Sequence, residues 1–178
     1  MVMAKFRSSS GDTIVEVLIS IAIVSAVITG SYAIANRSLR QGITASEHTQ
    51  ALKLAESQIE SLKFREQQTA KQTFLDTYAN AKNDSAFVNF CLDSTATGPA
   101  DSKWAPLSNG NNTTALQTPG AAQYNATCVK STKFYINISL PRGFAYNPAN
   151  GNLPVYLISV RWNSVSGGVS QTQLFYRF

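Results

Sequence analysis

The sequence predicts an α+β fold in which a long N-terminal helix packs on a C-terminal antiparallel sheet. First, the 23 residues Thr13–Ala35 contain one charged residue, Glu16. Second, a helix-compatible pattern continues without proline to about Arg65. Third, apolar residues alternate with a period of two from Phe134 onward. The helix is therefore expected to have a membrane-spanning half and an amphipathic half that supports the sheet.

Composition argues against an enzyme. The chain has 178 residues, which suggests one domain, or one domain plus an appendage, and it has a formal net charge of +5 and 14% charged residues. One histidine, His48, and two cysteines are too few for a His/Cys zinc site. The sequence has no glycine-rich phosphate loop and no nucleophile elbow. We expect no catalytic residues, no metal and no cofactor.

The apolar run is long enough to cross a membrane. As a helix it spans roughly 35 Å, against a hydrocarbon core of about 30 Å. Lys5 and Arg7 precede it, which predicts a cytoplasmic N-terminus. A secretory signal peptide and a plain single-span anchor are the alternatives. The run is longer than the apolar region of a signal peptide and leads into more helix rather than a cleavage site. A plain anchor does not explain Glu16, because a carboxylate in lipid costs about 2.5–3.5 kcal/mol.

The segment around Glu16 carries a specific spacing. Gly11-Asp12-Thr13-Ile14-Val15-Glu16 follows a short basic leader and opens the apolar run. It resembles the class III signal of type IV pilins and type II secretion pseudopilins. That resemblance implies a leader peptide over residues 1–11 and cleavage by prepilin peptidase between Gly11 and Asp12. The family usually has Phe where this chain has Asp12.

The same resemblance assigns filament assembly to Glu16. Residues 12–36 would pack with the helices of neighbouring subunits in the filament core. A buried ammonium or carboxylate costs several kcal/mol alone and less when paired. Glu16 is expected to compensate the amine that cleavage frees on an adjacent subunit. Snorkelling of Glu16 to the membrane interface is the alternative.

Residues 37–66 are predicted to form an amphipathic stalk, and residues 67–178 a globular pilin-like head. The apolar stripe of the stalk is interrupted by the polar stretch Ser46–Thr49, and His48 is expected at the surface. The stripe consists of Leu39, Ile43, Leu52, Ala55, Ile59 and Leu62. The segment Gln50–Lys63 resembles minor pilins of the PilV type.

The head is expected to contain three strands, a short helix and a long loop. Gly167-Gly168 predicts the turn between the last two strands. The predicted elements are a helix over Thr69–Lys82, a loop over Ser94–Gln123 with a short strand near Trp104–Leu107, and strands over Phe134–Leu140, Val155–Trp162 and Gln171–Phe178. In an exported domain Cys91 and Cys128 are expected to form a disulfide. Separate thiols joined to lipid or another chain are the alternative.

The C-terminal half is basic and aromatic. No Asp or Glu follows Asp101, whereas Ser102–Phe178 contains six Lys or Arg residues among Tyr and Trp. This pattern suggests weak binding of DNA or an anionic glycan, and a solvated, weakly basic sheet is the alternative. The candidate residues are Lys130, Lys133, Arg142, Arg161 and Arg177.

Together these features predict a minor pilin precursor for an extracellular type IV pilus that serves adhesion, motility or DNA uptake. It would reside in the bacterial cytoplasmic membrane before assembly. Its partners would be other pilin subunits, prepilin peptidase and the inner-membrane assembly platform. The alternatives are a pseudopilin of a type II secretion or competence machine, and a monomeric membrane-anchored adhesin or binding module.

Overall fold

A computed structural model describes residues 12–70, 73–75, 89–109, 115–120, 123–141 and 153–177. The chain divides into two compact units, an N-terminal unit (Met1–Ile43) and a C-terminal unit (Thr44–Phe178). One helix, α1 (Asp12–Gln68), contributes to both. The strands are β1 (Asn89–Cys91), β2 (Leu107–Ser108), β3 (Val129–Lys130), β4 (Phe134–Ser139), β5 (Val155–Asn163) and β6 (Val169–Arg177). The predicted α+β fold is confirmed.

The six strands of the described residues belong to one antiparallel sheet. Its order is β2-β1-β4-β5-β6, and β3 also pairs with β4. β5 and β6 pair without interruption from Asn163–Val169 to Val155–Arg177. Gly167 and Gly168 have φ angles of 94° and 82°, which glycine adopts without strain, so the predicted turn lies between these strands.

A buried asparagine completes the sheet where two short strands share one edge. β1 pairs with β4 at Ser139 and Ile138, whereas β3 pairs with it at Tyr135 and Phe134. The Asn109 side-chain amide donates to the carbonyl of Ile136, 3.0 Å away, in the gap between them. Asn109 thereby supplies a donor to a buried backbone acceptor.

The core lies between α1 and one face of the sheet. The buried stripe of α1 follows helical spacing: Glu47, Ala51, Ala55, Gln58, Leu62 and Arg65. The predicted stripe is therefore partly wrong, because Leu39 and Ile43 are exposed. Both precede Thr44, where the C-terminal unit begins. The buried stripe continues through the polar stretch Ser46–Thr49, since Glu47 is buried.

Two element boundaries differ from prediction, and one predicted helix lies largely outside the described residues. Ser102–Trp104 is a 3₁₀ turn rather than the start of a strand, because the Asp101 side chain accepts a hydrogen bond from the Lys103 backbone. β6 begins at Val169 rather than Gln171, since pairing with β5 continues to the turn. Within Thr69–Lys82, residues 73–75 are helical.

Candidate functional site

The motif at the start of the chain lies partly within the described residues. Gly11 is outside them, and α1 begins at Asp12. One helical turn, about 6 Å along the axis, separates Asp12 from Glu16. Glu16 is exposed, and its carboxylate makes no hydrogen bond or ion pair with any described residue. The described part of the chain therefore supplies no partner for this carboxylate.

The N-terminal unit has an apolar surface along its helix. An 18-residue window reaches a mean hydropathy of 2.2, so α1 is long and apolar enough to cross a membrane. The exposed fraction is 65% for Ile14 and 72% for Ile34. The other exposed large aliphatic side chains between them are Val15, Val17, Leu18, Ile19, Ile21, Ile23, Val24, Val27 and Ile28. Such a surface requires lipid or other apolar helices to cover it.

Two hydroxyl groups of this segment bond to their own helix. Ser20 Oγ donates to the Glu16 carbonyl at 2.8 Å, and Thr29 Oγ1 donates to the Ser25 carbonyl at 2.8 Å. In lipid an unsatisfied hydroxyl is costly, and this bond to the preceding turn removes that cost. The carboxylate of Glu16 differs from these hydroxyls in having no such internal bond among the described residues.

In the C-terminal unit a second helical glutamate is buried and fully bonded. Glu47 forms an ion pair with Lys133, the last residue of the turn between β3 and β4. Its other carboxylate oxygen accepts from Trp162 Nε1 and from Ser164 Oγ, each at 3.1 Å. We call Glu47, Lys133, Trp162 and Ser164 the Glu47 cluster. It joins α1 to the turn end of β5.

The hydrogen bonds of the Glu47 cluster favour the charged carboxylate. Burial acts to raise the pKa of Glu47, but the bonds from Lys133, Trp162 and Ser164 outweigh it, so the pKa lies below its ordinary value. Neighbouring His48 is exposed, as predicted, and its Nε2 lies 3.2 Å from Thr172 Oγ1. The cluster is thus a connection between helix and sheet that depends on an ionised glutamate.

Arg65 forms a second polar connection at the other end of the buried stripe. It is 1% exposed, and its guanidinium lies 5.0 Å from the Trp104 ring centroid. Its Nη2 donates to the carbonyl oxygens of Asp93 (3.0 Å) and Lys103 (3.3 Å), and Nη1 donates to that of Trp104. Arg65 therefore holds the segment between β1 and β2 against α1.

A cleft of about 320 Å³ lies beside Arg65. Phe64 and Ser61 of α1 line one side, and Asp93 and Ser94 line the other. The Asp93 carboxylate already accepts from the Thr95 backbone at 2.9 Å and from the Thr95 hydroxyl at 2.8 Å. The backbone hydrogen bond of Thr95 is the main reason that the pKa of Asp93 is lowered. The Asp93 carboxylate thus accepts hydrogen bonds from within its own turn.

The disulfide connects two segments that flank β4. Cys91 ends β1, Cys128 directly precedes β3, and the structure joins them in a disulfide as predicted. Both are buried in the hydrophobic core. In the chain-entropy model, closing a loop of 37 residues contributes about 3–4 kcal/mol. In this model the bond stabilises the folded state by restricting the unfolded chain.

Among the described candidate anion-binding residues, Lys130 and Lys133 lie in one turn, between β3 and β4, and the other two lie on β5 and β6. Lys133 is committed to Glu47, and Arg161 Nη1 donates to the Leu116 carbonyl at 2.6 Å. Arg161 and Arg177 share a face of the sheet, but their positions along β5 and β6 differ by about 20 Å. Lys130 lies near Asp93 and lowers its pKa. Arg142 lies outside the described residues. Binding of DNA or an anionic glycan therefore stays a prediction.

Sequence reasoning missed the buried polar residues of α1. Glu47, Gln58 and Arg65 occur at the helical spacing of the buried alanines and Leu62. Gln58 pairs with the backbone of Leu92 through both amide atoms, at 2.8 and 3.1 Å. The helical spacing of these three residues could have indicated that they are buried. A pattern defined by apolar residues alone leaves out polar and charged ones. Within the described residues, no group of three or more His, Cys, Asp or Glu is placed to hold a metal ion.

No protein-family model, curated protein or solved structure matches the chain. The resemblance to pilins therefore depends on the motif residues and on the organisation of α1.

Proposed function

We propose that this chain is a type IV pilin-like precursor, most similar in role to a minor pilin. In this role, prepilin peptidase removes residues 1–11 and the mature chain assembles into an extracellular filament. The observation that carries the proposal is the continuity of α1. One helix supplies both an exposed apolar segment with a single acid and the buried stripe of a globular unit.

That continuity argues against an ordinary secretory signal peptide. Signal peptidase cuts after the apolar region and removes it. Here the apolar segment continues as helix into residues that pack in the core of the C-terminal unit. Cleavage after Gly11 retains the whole helix, which supports processing at the leader end.

The proposed role of Glu16 follows from charge compensation. Cleavage leaves a positively charged amine on Asp12 at the start of α1. In a filament core without water, that amine needs a carboxylate, and pairing reduces the cost of burying both. Glu16 has no internal partner among the described residues, which supports its use between subunits. The membrane is the first environment of this segment, and the filament core is the second.

Intact-mass analysis tests the proposal. The chain is produced in bacteria with active prepilin peptidase and, in parallel, in a strain that lacks the enzyme. We expect a mature chain that starts at Asp12 in the first case and an unprocessed chain in the second. Gly11→Val should block cleavage because the peptidase site requires a small residue there, and Gly11→Ala is the matched control. A chain that retains Met1 despite active peptidase would contradict the proposal that this is a pilin-like precursor.

A processed chain still has to be assigned to a filament. Epitope-tagged protein in sheared surface filaments would support a pilus subunit. Processed protein that stays in the membrane and supports secretion or DNA uptake would favour the pseudopilin alternative. Unprocessed protein on the cell surface would favour the monomeric anchored adhesin.

A further inference from the structure

The two edges of the sheet differ in how they are protected against pairing with another strand. β2, at one edge, has two residues, which is too short to template another strand. β6, at the other, has nine residues and contains neither Pro nor Lys. Its uninterrupted register with β5 leaves no bulge. No described strand lies on its outer side. Protein sheets usually protect an edge strand by keeping it short, by placing Pro or Lys in it, by a bulge, or by covering it with another element.

Strand parity identifies the backbone groups that face outward from β6. Ser164 N–H donates to the Gly168 carbonyl at 3.0 Å, in the same register as the β5–β6 pairs. Hydrogen-bonded and non-hydrogen-bonded pairs alternate in an antiparallel ladder, so the even-numbered residues of β6 bond to β5. The N–H and C=O groups that point to the open side therefore belong to Val169, Gln171, Gln173, Phe175 and Arg177.

The side chains of these odd-numbered residues lie on the sheet face away from α1. The even-numbered ones face the helix, as Thr172 contacts His48 and Tyr176 contacts Glu66. Phe175 is 69% exposed beside half-buried Leu157 on β5. Arg177 is exposed and makes no ion pair with any described residue. An apolar contact and an adjacent positive charge therefore border the open edge.

We infer that β6 binds an extended, acidic segment of another protein, which adds to the sheet as an antiparallel strand. Alternating backbone groups would supply affinity, and side chains opposite Phe175 and Arg177 would supply selectivity. Charge complementarity favours a different protein over a second copy. No Asp or Glu follows Asp101, so a second β6 has no carboxylate to offer Arg177. This inference requires only the sheet and is independent of the proposed filament role.

The probe is an end-blocked nine-residue peptide of alternating Thr and Val, with Glu at the residue that pairs with Arg177. Binding to the full chain in detergent is measured by fluorescence anisotropy. Gln173→Pro removes one outward N–H without removing a bond to β5, so we expect binding at least about tenfold weaker in a folded protein. Gln173→Ala is the matched control and should bind as the parent does.

Two further comparisons test strand addition directly. N-methylation of the peptide at the residues that bond to β6 should abolish binding, whereas N-methylation at the intervening residues should not. Arg177→Glu should weaken binding of the Glu peptide and restore it for a Lys peptide.

Three results would overturn the inference. These are no saturable binding of the unmodified peptide at millimolar concentration, equal binding of the two N-methylated peptides, or undiminished binding to folded Gln173→Pro. Dimerisation of the chain that Gln173→Pro abolishes would assign the edge to a second copy instead.

Discussion

The two parts of α1 have the same secondary structure but opposite surfaces: the first exposes apolar side chains, and the second buries polar ones. Before Thr44, the helix exposes large aliphatic side chains and carries Glu16 without an internal partner among the described residues. After Thr44, it buries Glu47, Gln58 and Arg65 on one face. Each of these three has hydrogen-bond partners from the sheet or its loops. Among the described residues, the Glu16 carboxylate thus lacks the hydrogen-bond partners that the three buried polar residues of the second part find within the chain.

This difference shows where external partners are needed. A buried polar group is tolerated when it is bonded, and an exposed apolar helix is tolerated when something covers it. The C-terminal unit meets the first condition alone. The N-terminal unit meets the second only with lipid or other helices, as the proposed function requires. Substitutions in the two parts should therefore affect different measurements.

The largest expected effect is on assembly. Glu16→Ala should lower the amount of this subunit in filaments at least about tenfold, because the amine of a neighbouring subunit loses its carboxylate. The amount is measured by quantitative immunoblotting of sheared filaments against whole cells. Glu56→Ala, an exposed glutamate in the second part of α1, is the control. Wild-type incorporation of Glu16→Ala would refute the pairing argument.

The next effect concerns the corrected core stripe. Leu62→Ala should lower the free energy of unfolding by about 3 kcal/mol because it creates a cavity in a fully buried site. Leu39→Ala, 66% exposed, should change it by less than about 0.5 kcal/mol. Both are measured on the full chain in detergent by denaturant unfolding, with tryptophan fluorescence as the probe. Similar losses for the two variants would show that the predicted stripe, not the observed one, is the core.

A smaller effect is expected at Arg65. Arg65→Met keeps much of the side-chain volume but leaves carbonyl groups without a charged donor, so the free energy of unfolding should fall by about 2 kcal/mol. Arg37→Met, at an exposed position in the first part of α1, is the control and should be neutral within about 0.5 kcal/mol. If Arg65→Met were as stable as the parent in the same unfolding assay, the hydrogen bonds from Arg65 to the carbonyl groups would make no net contribution to the free energy of unfolding.

The smallest effect depends on pH. The folded chain holds the pKa of Glu47 below its ordinary 4.5, so the unfolded chain binds the proton more readily. The stabilisation is therefore fully present above about pH 4.5 and is lost as the pH falls through the lowered pKa. Glu47→Gln should cost about 1 kcal/mol at neutral pH and reduce this acid dependence.

Unfolding curves of the full chain at several pH values measure the effect, with Glu56→Gln as the control. An unchanged acid dependence in Glu47→Gln would contradict the assignment of that dependence to the Glu47 cluster.

Local pattern was sufficient for the elements that one type of periodicity defines. The apolar run predicted the start of α1, and alternation predicted β4 and β5 to within one or two residues. Gly167-Gly168 predicted the last turn because both positions require a positive φ. The disulfide followed from the number of cysteines in an exported domain. Each of these inferences depends on residues close in sequence or on a choice with few alternatives.

The tertiary structure alone decided which polar residues are buried. Glu47 lies 86 residues from Lys133 in sequence, and Asn109 lies 27 residues from the carbonyl group that it satisfies. Hydropathy places such residues at the surface, because burial without partners is costly. Only the order of the strands brings the partners close enough to offset that cost. The same order leaves β6 at an edge, which no local pattern in its sequence indicates.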